Sequence, residues 1–541
     1  MNSTEKSALE KRKKQIRSKI EPILKNKEKI FLYGFFSIII LYKLFYFFKT
    51  LDQAVWWDEG DYLSIAKELF SGNERPEWWA HFTGMRPLLM PIIWSFTFAV
   101  KLGEPTIKFL TLLVPSISSI FLMYKIGKDL YNQKTGIISS LMLSVYWVHH
   151  FYTYRFLTDI PAMFFGLLSI YFFWSKYIKE KKNYGLYLSI IFGIMAFAIR
   201  FPLALVLVSI LLYLLITRGF SIFKDKIIWK GAGVGLLTFS PYLIYFIINK
   251  FAAFRFYFGD TAVSIKTPIA ESFKTILSII PSLMEPIWFI CLIIGLLTLY
   301  KLFIGFDLII KKKEKSLNSD LFVFLLGIIN LIFYIFILRA ANDRWLLMLM
   351  PPLFLLTSKG ILTISNYAKK YNRYLGLVIL LVLVIGGANQ QISHGHNLTM
   401  SKIGSYQEEK LAGLWLKENT PEDSRIIISS IVQNQYYSER MSYDLYSKDN
   451  PSPQCYDLYG KLIESEECFT KTENAFREKI KKIGADYLVI HIFEPVFTPR
   501  WAYDYPQRHP GELIPIKSYN AENNQPVLII YQFNKSSEIF N

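Results

Sequence analysis

Charge is scarce in this chain. Of its 541 residues only 19% are Asp, Glu, Lys or Arg, against 52% hydrophobic. A soluble domain of this size would carry more charge, so a wholly soluble globular protein is excluded. Cysteine is scarcer still, with three residues. Cys291 lies in an apolar run, and Cys455 and Cys468 lie in the polar C-terminal part. None has zinc-site spacing with a histidine. A Cys455–Cys468 disulfide requires that this part face an oxidising space. Several loop motifs are also missing: no Walker loop, GxGxxG turn, HExxH or GxSxG is present. Nucleotide-dependent and serine-hydrolase chemistry therefore lack their signatures. There is no internal repeat and no low-complexity linker.

What the chain does have is a series of apolar runs near or above spanning length, and a mean hydropathy of +0.27. It reads as an α-helical polytopic membrane protein. The net charge of +18 suggests nucleic acid at first sight. The basic residues cluster in short loops between apolar runs, however, so they read as topology signals. The basic N-terminus, Lys11-Arg12-Lys13-Lys14 onward, has no small-residue cleavage pattern behind it. The segment that follows reads as a retained first span.

Spans are expected near 31–49, 106–124, 136–153, 159–177, 184–199, 202–217, 231–249, 280–303, 320–338, 345–363 and 374–389, about eleven in all. The segment 87–102 is short and holds Pro87 and Pro91, so it is assigned to the interface. With the N-terminus inside, every lysine-rich loop falls on one side: Lys125/Lys128/Lys134, Lys176 to Lys182, Arg218 to Lys230, Lys311 to Lys315, and Lys369/Lys370/Arg373. This satisfies the positive-inside rule and puts the C-terminal part outside. The expected organisation is a basic cytoplasmic segment 1–30, a transmembrane domain 31–390 with a first outer loop at 50–104, and an extracytoplasmic soluble domain 391–541.

In that outer loop, Trp56-Trp57-Asp58-Glu59-Gly60-Asp61-Tyr62 directly follows the first span. Ionisable groups at the edge of a bilayer point to a site, although tryptophan and tyrosine also serve as interfacial anchors. Gly60-Asp61 is expected to open a short amphipathic helix, capped by Asp61 and ended by Ser71-Gly72-Asn73. Its apolar face would be Tyr62, Ile65, Ala66, Leu69 and Phe70. The other outer ends carry Arg86, Arg155, Thr158, Asp159, Arg200, Arg339, Asp343 and Arg344. Arginines and carboxylates from distant segments thus converge on one membrane face. Guanidinium forks bind phosphate and carboxylate in bidentate fashion. His81 lies between Trp78-Trp79 and Arg86 and is a candidate for substrate contact. His149 and His150 are adjacent on a helix and point about 100° apart, so they do not readily chelate one metal.

The C-terminal part alternates helix and strand. Leu411 to Leu416 reads as helix, Arg425 to Ile428 as strand, Phe476 to Ile483 as helix, and Ala485 to Ile490 and Pro526 to Tyr531 as strands. This pattern suggests a small α/β domain. Asn397-Leu398-Thr399 and Asn534-Lys535-Ser536 are glycosylation sequons on the same side.

Carboxylates and arginines at the outer lipid boundary suit transfer of a group from a lipid phosphate. Arginine can stabilise a phosphate leaving group, and a fixed carboxylate can take the proton of an attacking hydroxyl. On these residues the sequence resembles the GT-C superfamily of membrane glycosyltransferases. The motifs are Trp57-Asp58-Glu59-Gly60-Asp61-Tyr62, Arg86-Pro87-Leu88, Thr158-Asp159-Ile160-Pro161, and Asp343-Arg344-Trp345 leading to Pro351-Pro352. The nearest branch is the dolichyl-phosphate-mannose–protein mannosyltransferase-like group, which also resembles the lipid A aminoarabinose transferases.

The resemblance covers roughly residues 30–390 and implies inverting transfer of a monosaccharide from a polyprenyl-phosphate donor. The acceptor would be a hydroxyl of a glycan, lipid or protein on the outer face. Carried onto this sequence, Asp58 is the base and Glu59 supports base or acceptor positioning. Arg86, Arg155 and Arg344 are phosphate or sugar contacts, and Asp159 is a second pocket carboxylate; Arg200, among the outer-end charges, is a further candidate for substrate binding. No segment is long enough for the β-trefoil insertion of the eukaryotic protein mannosyltransferases, so protein O-mannosylation is not implied. No cofactor is required, and a divalent metal is compatible but not implied. The partners are the lipid-linked donor, the acceptor and membrane lipids, without nucleic acid. A transporter or flippase for an anionic lipid-linked substrate is the alternative. Such proteins bind near the midplane and often show repeats, whereas the charges here lie at one face.

Overall fold

The computed structural model describes residues 3–71, 86–254, 267–305, 315–445, 466–493, 498, 500–521, 524–537 and 539–540. His81, Lys311 to Lys313 and Cys455 lie outside the described residues, as does the Cys455–Cys468 pairing. The chain divides into two units, Met1–Leu51 and Asp52–Asn541. The first is one helix, α1 (Ser3–Lys49). Its apolar part, Asn26–Lys49, is long enough to cross a membrane.

The second unit begins with α2 (Trp57–Ser71) and α3 (Leu89–Ala99). The α3 helix is too short to span, in line with an interfacial segment. Then come α4 (Val114–Leu130), α5 (Gln133–Val145), α6 (Trp147–Tyr152), α7 (Asp159–Tyr171) and α8 (Tyr184–Ile199). The membrane part is completed by α9 (Ala204–Arg218), α10 (Lys226–Ile248), α11 (Ile269–Leu297), α12 (Lys315–Ile332), α13 (Met350–Tyr371) and α14 (Arg373–Lys402).

Among the described residues, eight helices are long and apolar enough to cross a membrane. The other three expected spans fall on shorter or interrupted helices. The segment 136–153 breaks at Tyr146, whose ψ of 119° separates α5 from α6. The segment 159–177 is α7 followed by a π-helical stretch, Phe172–Lys179, and 184–199 is the 16-residue α8. The boundary expected at 390 lies inside α14. The helix runs unbroken through Gly386 and Gly387, and a Cβ at Gly387 would lie 2.0 Å from the Trp288 ring nitrogen. Glycine there serves close packing.

Helix α11 is kinked at Glu285, which has a φ of 57° and is followed by Pro286. The polar groups of α14 take up backbone atoms freed by the kink: Gln391 Nε2 donates to Leu283 O at 2.9 Å, and Ile287 N–H donates to Gln390 Oε1 at 3.3 Å. Close approach continues along the pair α11 and α13. A Cβ at Gly295 would lie 2.0 Å from Leu356 O, and one at Gly360 would lie 1.9 Å from Cys291 O. Small residues that let backbones touch are the usual way membrane helices pack.

The C-terminal domain contains α15 (Gln407–Asn419), β1 (Arg425–Ile427), α16 (Ile431–Ser438), β2 (Met441–Tyr443), α17 (Glu466–Ile483), β3 (Tyr487–His491), α18 (Arg500–Arg508), β4 (Leu513–Asn520) and β5 (Pro526–Phe533). The five strands form one sheet in the order β2-β1-β3-β5-β4. The β1 strand pairs in parallel with β2 and β3, whereas β5 runs antiparallel to β3 and β4. Period-two alternation divides the apolar residues between two cores. Ile426, Val489 and Ile530 pack with Leu416 on one face, and Ile427, Leu488 and Phe533 pack with Phe476 and Trp501 on the other. The expected helices and strands are present, and β2, β4, α16 and α18 are additional.

Candidate active site

The α2 helix starts at Trp57, one turn earlier than expected. Asp58 and Glu59 therefore lie in its first turn, where a carboxylate suits the helix dipole. Asp58 and Asp61, three residues apart, lie along one side of the helix. Asp61 does not cap the helix. It accepts Arg86 Nε at 2.9 Å. On the expected apolar face, Tyr62, Ile65 and Ala66 are buried, but Leu69 and Phe70 are exposed. The earlier start also buries Leu63.

Asp58 lies between two arginines. Arg86 Nη2 donates to its Oδ1 at 2.9 Å and Arg344 Nη2 to its Oδ2 at 2.5 Å. Burial works to raise the Asp58 pKa, but the attraction of Arg86 and Arg344 outweighs it and holds the carboxyl down at about 2. For Arg344 the balance has the opposite sign. Burial works to lower its pKa, and Asp159 and Asp58 together raise it above its ordinary value. Asp159 begins α7 and pairs with Arg200 at 2.8 Å, at the C-terminal end of α8.

A narrow cleft opens beside this set. Asp159, Arg200 and Arg344 line its charged part, and Met163, Leu203 and Met348 are among its apolar lining. The buried Nε of Arg344 and hydroxyl of Thr158 have no hydrogen-bond partner among the described residues. The site therefore offers a spare guanidinium donor next to an apolar wall.

Glu59 and Arg155 are placed differently. Their side chains are 2% and 1% exposed and form an ion pair at 2.7 Å. Glu59 also accepts the backbone N–H of Phe156 at 2.5 Å and of Trp56 at 2.6 Å. Arg155 stacks on Trp56, with its guanidinium carbon 3.9 Å from the ring centre. This pair ties the start of α2 to the turn before α7. Neither residue lines the cleft. The expected residues thus form two sets: Asp159, Arg200 and Arg344 line the cleft, with Asp58 and Arg86 joined to them through the Asp58–Arg344 ion pair, and Glu59 with Arg155 form a separate buried pair. His81 lies outside the described residues. From the sequence alone Asp61 is only a helix-cap candidate. Its spacing from Asp58 was the signal that both share a helix face.

The C-terminal domain reaches this region through α16. Val55 N–H donates to the Tyr437 hydroxyl at 2.8 Å, and Tyr436 donates to Glu104 at 2.7 Å. Lys67 bonds both Tyr436 O at 2.9 Å and Glu439 at 2.8 Å. Gly60 allows the closest approach, since a Cβ there would lie 2.9 Å from Val432 O. A second polar group lies within the domain. His491 Nε2 bonds the Ser430 and Ser429 hydroxyls at 2.8 and 3.0 Å, and its Nδ1 lies 3.4 Å from Glu409. All four residues are buried. Burial pushes the His491 pKa down to about 3. The group is sealed in the domain and holds α16 to the sheet. His149 and His150 are also fully buried. No cluster of three metal-ligating side chains occurs among the described residues.

Comparison with solved structures finds a match over nearly the whole length. The chain superposes on ArnT from Cupriavidus metallidurans bound to undecaprenyl phosphate with a TM-score of 0.58 at 12% identity, covering 94% of this chain and 99% of that one. The fold is that of the GT-C glycosyltransferases. Archaeal oligosaccharyltransferase AglB from Archaeoglobus fulgidus, in complex with an inhibitory peptide and a dolichol-phosphate, shares this fold. Its TM-score is 0.56 at 11% identity, over 95% of this chain and 77% of that one. The family model for dolichyl-phosphate-mannose-protein mannosyltransferase matches residues 85–245. In fold the chain thus resembles ArnT and AglB, and over residues 85–245 it resembles the mannosyltransferase family. No curated protein matches it.

Proposed function

We propose that the protein is an inverting glycosyltransferase that moves a monosaccharide from a polyprenyl-phosphate donor to an acceptor hydroxyl on the outer face of the membrane. The observation that carries this reading is the placement of Asp58 between Arg86 and Arg344 beside a half-apolar cleft. A lipid phosphate needs both guanidinium donors and an apolar wall. In this mechanism the acceptor hydroxyl attacks the anomeric carbon and Asp58 takes its proton. Arg344, Arg86 and Arg200 stabilise the charge that develops on the departing phosphate. Glu59 and Arg155 act by position, since their shared bonds fix the first turn of α2. No redox or nucleotide group takes part. The solved GT-C proteins captured with undecaprenyl phosphate and dolichol-phosphate support a lipid-phosphate substrate.

The test uses purified protein in liposomes with radiolabelled polyprenyl-phosphate-mannose, and then the glucose, galactose and aminoarabinose analogues. A membrane extract supplies acceptors. Wild type should transfer label and Asp58→Asn should not. Equal transfer by both would remove Asp58 from the chemistry. Movement of donor between leaflets without a new glycosidic product would favour a flippase instead.

A further inference from the structure

The charges of the proposed reaction pose a problem that the geometry answers. The donor is a phosphodiester with one negative charge. Transfer breaks the bond between the anomeric carbon and the phosphate oxygen and forms a bond from that carbon to the acceptor oxygen. The bonding electrons stay with the phosphate, which leaves as a monoester with two negative charges. The acceptor proton passes to Asp58, which becomes neutral. One unit of negative charge thus moves from Asp58 to the phosphate. Before transfer, two guanidiniums hold that charge on Asp58. A carboxylate so stabilised is a weak base.

We propose that Arg86 and Arg344 are handed from Asp58 to the phosphate during the reaction, so that Asp58 and the phosphate compete for the same two guanidiniums. This rests on the glycosyltransferase reading and deepens it. The anchoring of both arginines supports the hand-over. Arg86 can release Asp58 and stay in place, because its Nε is held by the buried Asp61 at 2.9 Å and its guanidinium lies 5.2 Å from the Tyr62 ring centre. Arg344 donates one Nη to Asp58 while its side chain lines the cleft beside Asp159 and Arg200. Its buried Nε has no partner among the described residues and is available to a phosphate oxygen. Donor entry draws the guanidiniums away, and Asp58 becomes more basic only when there is a sugar to transfer. Hydroxyl activation in an empty site is thereby suppressed.

The competition predicts an effect opposite in sign to that of a residue serving only as a base. Binding of undecaprenyl phosphate, without acceptor, is measured in nanodiscs for wild type and Asp58→Asn. Asp58→Asn should abolish transfer yet bind undecaprenyl phosphate about tenfold more tightly or better, the size of a close charge-pair coupling. Asp58→Ser should behave alike. In an Arg344→Gln background the gain should shrink, because the exchanged partner is gone. Inorganic phosphate should bind more weakly throughout but show the same relative gain. Unchanged or weaker binding by both Asp58 variants would overturn the hand-over, with the transferase reading intact. The same gain with and without Arg344 would also overturn it, since a long-range field would then suffice. A gain confined to the lipid would place the effect in contacts with the prenyl chain rather than the phosphate and refute it as well. If wild type neither binds undecaprenyl phosphate nor transfers sugar, the functional reading itself fails.

Discussion

Glu59→Ala separates a positioning role from a chemical one. The carboxylate is 2% exposed and accepts two backbone N–H groups as well as the Arg155 ion pair. Removing it leaves Arg155, itself 1% exposed, as an uncompensated buried charge. Breaking such a pair by deleting one partner costs about 3–5 kcal/mol. Each orphaned N–H adds about 1–3 kcal/mol, although these terms overlap. Burial already works to lower the Arg155 pKa, and the Glu59 charge opposes that trend. The expected result is a melting temperature several degrees below wild type, followed by tryptophan fluorescence in detergent. Transfer should fall along with the folded fraction. Glu59→Gln keeps an acceptor oxygen and should lose less. Removing both charges, with Arg155→Met added to Glu59→Gln, should cost less than the two single changes combined. If Glu59→Ala melts with wild type but transfers no sugar, the carboxylate acts in the chemistry and the positioning argument is refuted.

Two further outcomes test the frame around the site. Gly360→Ala puts a methyl group 1.9 Å from Cys291 O, a backbone atom that cannot turn aside. Overpacking of this kind costs about 1–3 kcal/mol. The variant should give less monodisperse protein after detergent extraction, and a wild-type yield and melting profile would argue against the α11–α13 contact. The other outcome concerns pH. Burial holds the His491 pKa at about 3 in the fold, against about 6.5 for an unfolded chain. Between these values the unfolded state binds the extra proton, so stability is complete above about pH 6.5 and falls as pH drops toward 3. The slope approaches about 1.4 kcal/mol per pH unit. His491→Gln should flatten this acid limb in circular dichroism of the strand signal, and an unchanged limb would refute the assignment.

Much of this protein could be read from patterning. Long apolar runs dictate membrane helices because backbone polar groups in lipid must bond within the helix. The strands at Arg425, Tyr487 and Pro526 follow from β-branched runs between turn residues. Asp58, Arg86, Asp159, Arg200 and Arg344 stood out as charges at the ends of apolar segments, and that signal is local. Local signals miss pairing. Asp58 and Arg344 are 286 positions apart, and composition does not show that they meet at 2.5 Å. Nor does it separate the partly buried Arg86, Arg200 and Arg344 from Arg155, which looks like them in sequence and proves to be sealed against Glu59. That difference is set by the turn before α7, whose Phe156 amide joins the Trp56 amide at the start of α2 in donating to the Glu59 carboxylate. The start of α2, the break at Tyr146 and the seating of α16 on Gly60 are likewise tertiary outcomes. Each depends on which backbone atoms approach closely, and such contacts leave no periodic trace in the chain. The sequence alone therefore determined a membrane-embedded helical protein with a cluster of outer charges. The tertiary structure alone decided which of those charges face a cleft and which hold it in shape, because burial and pairing arise only when distant segments pack together.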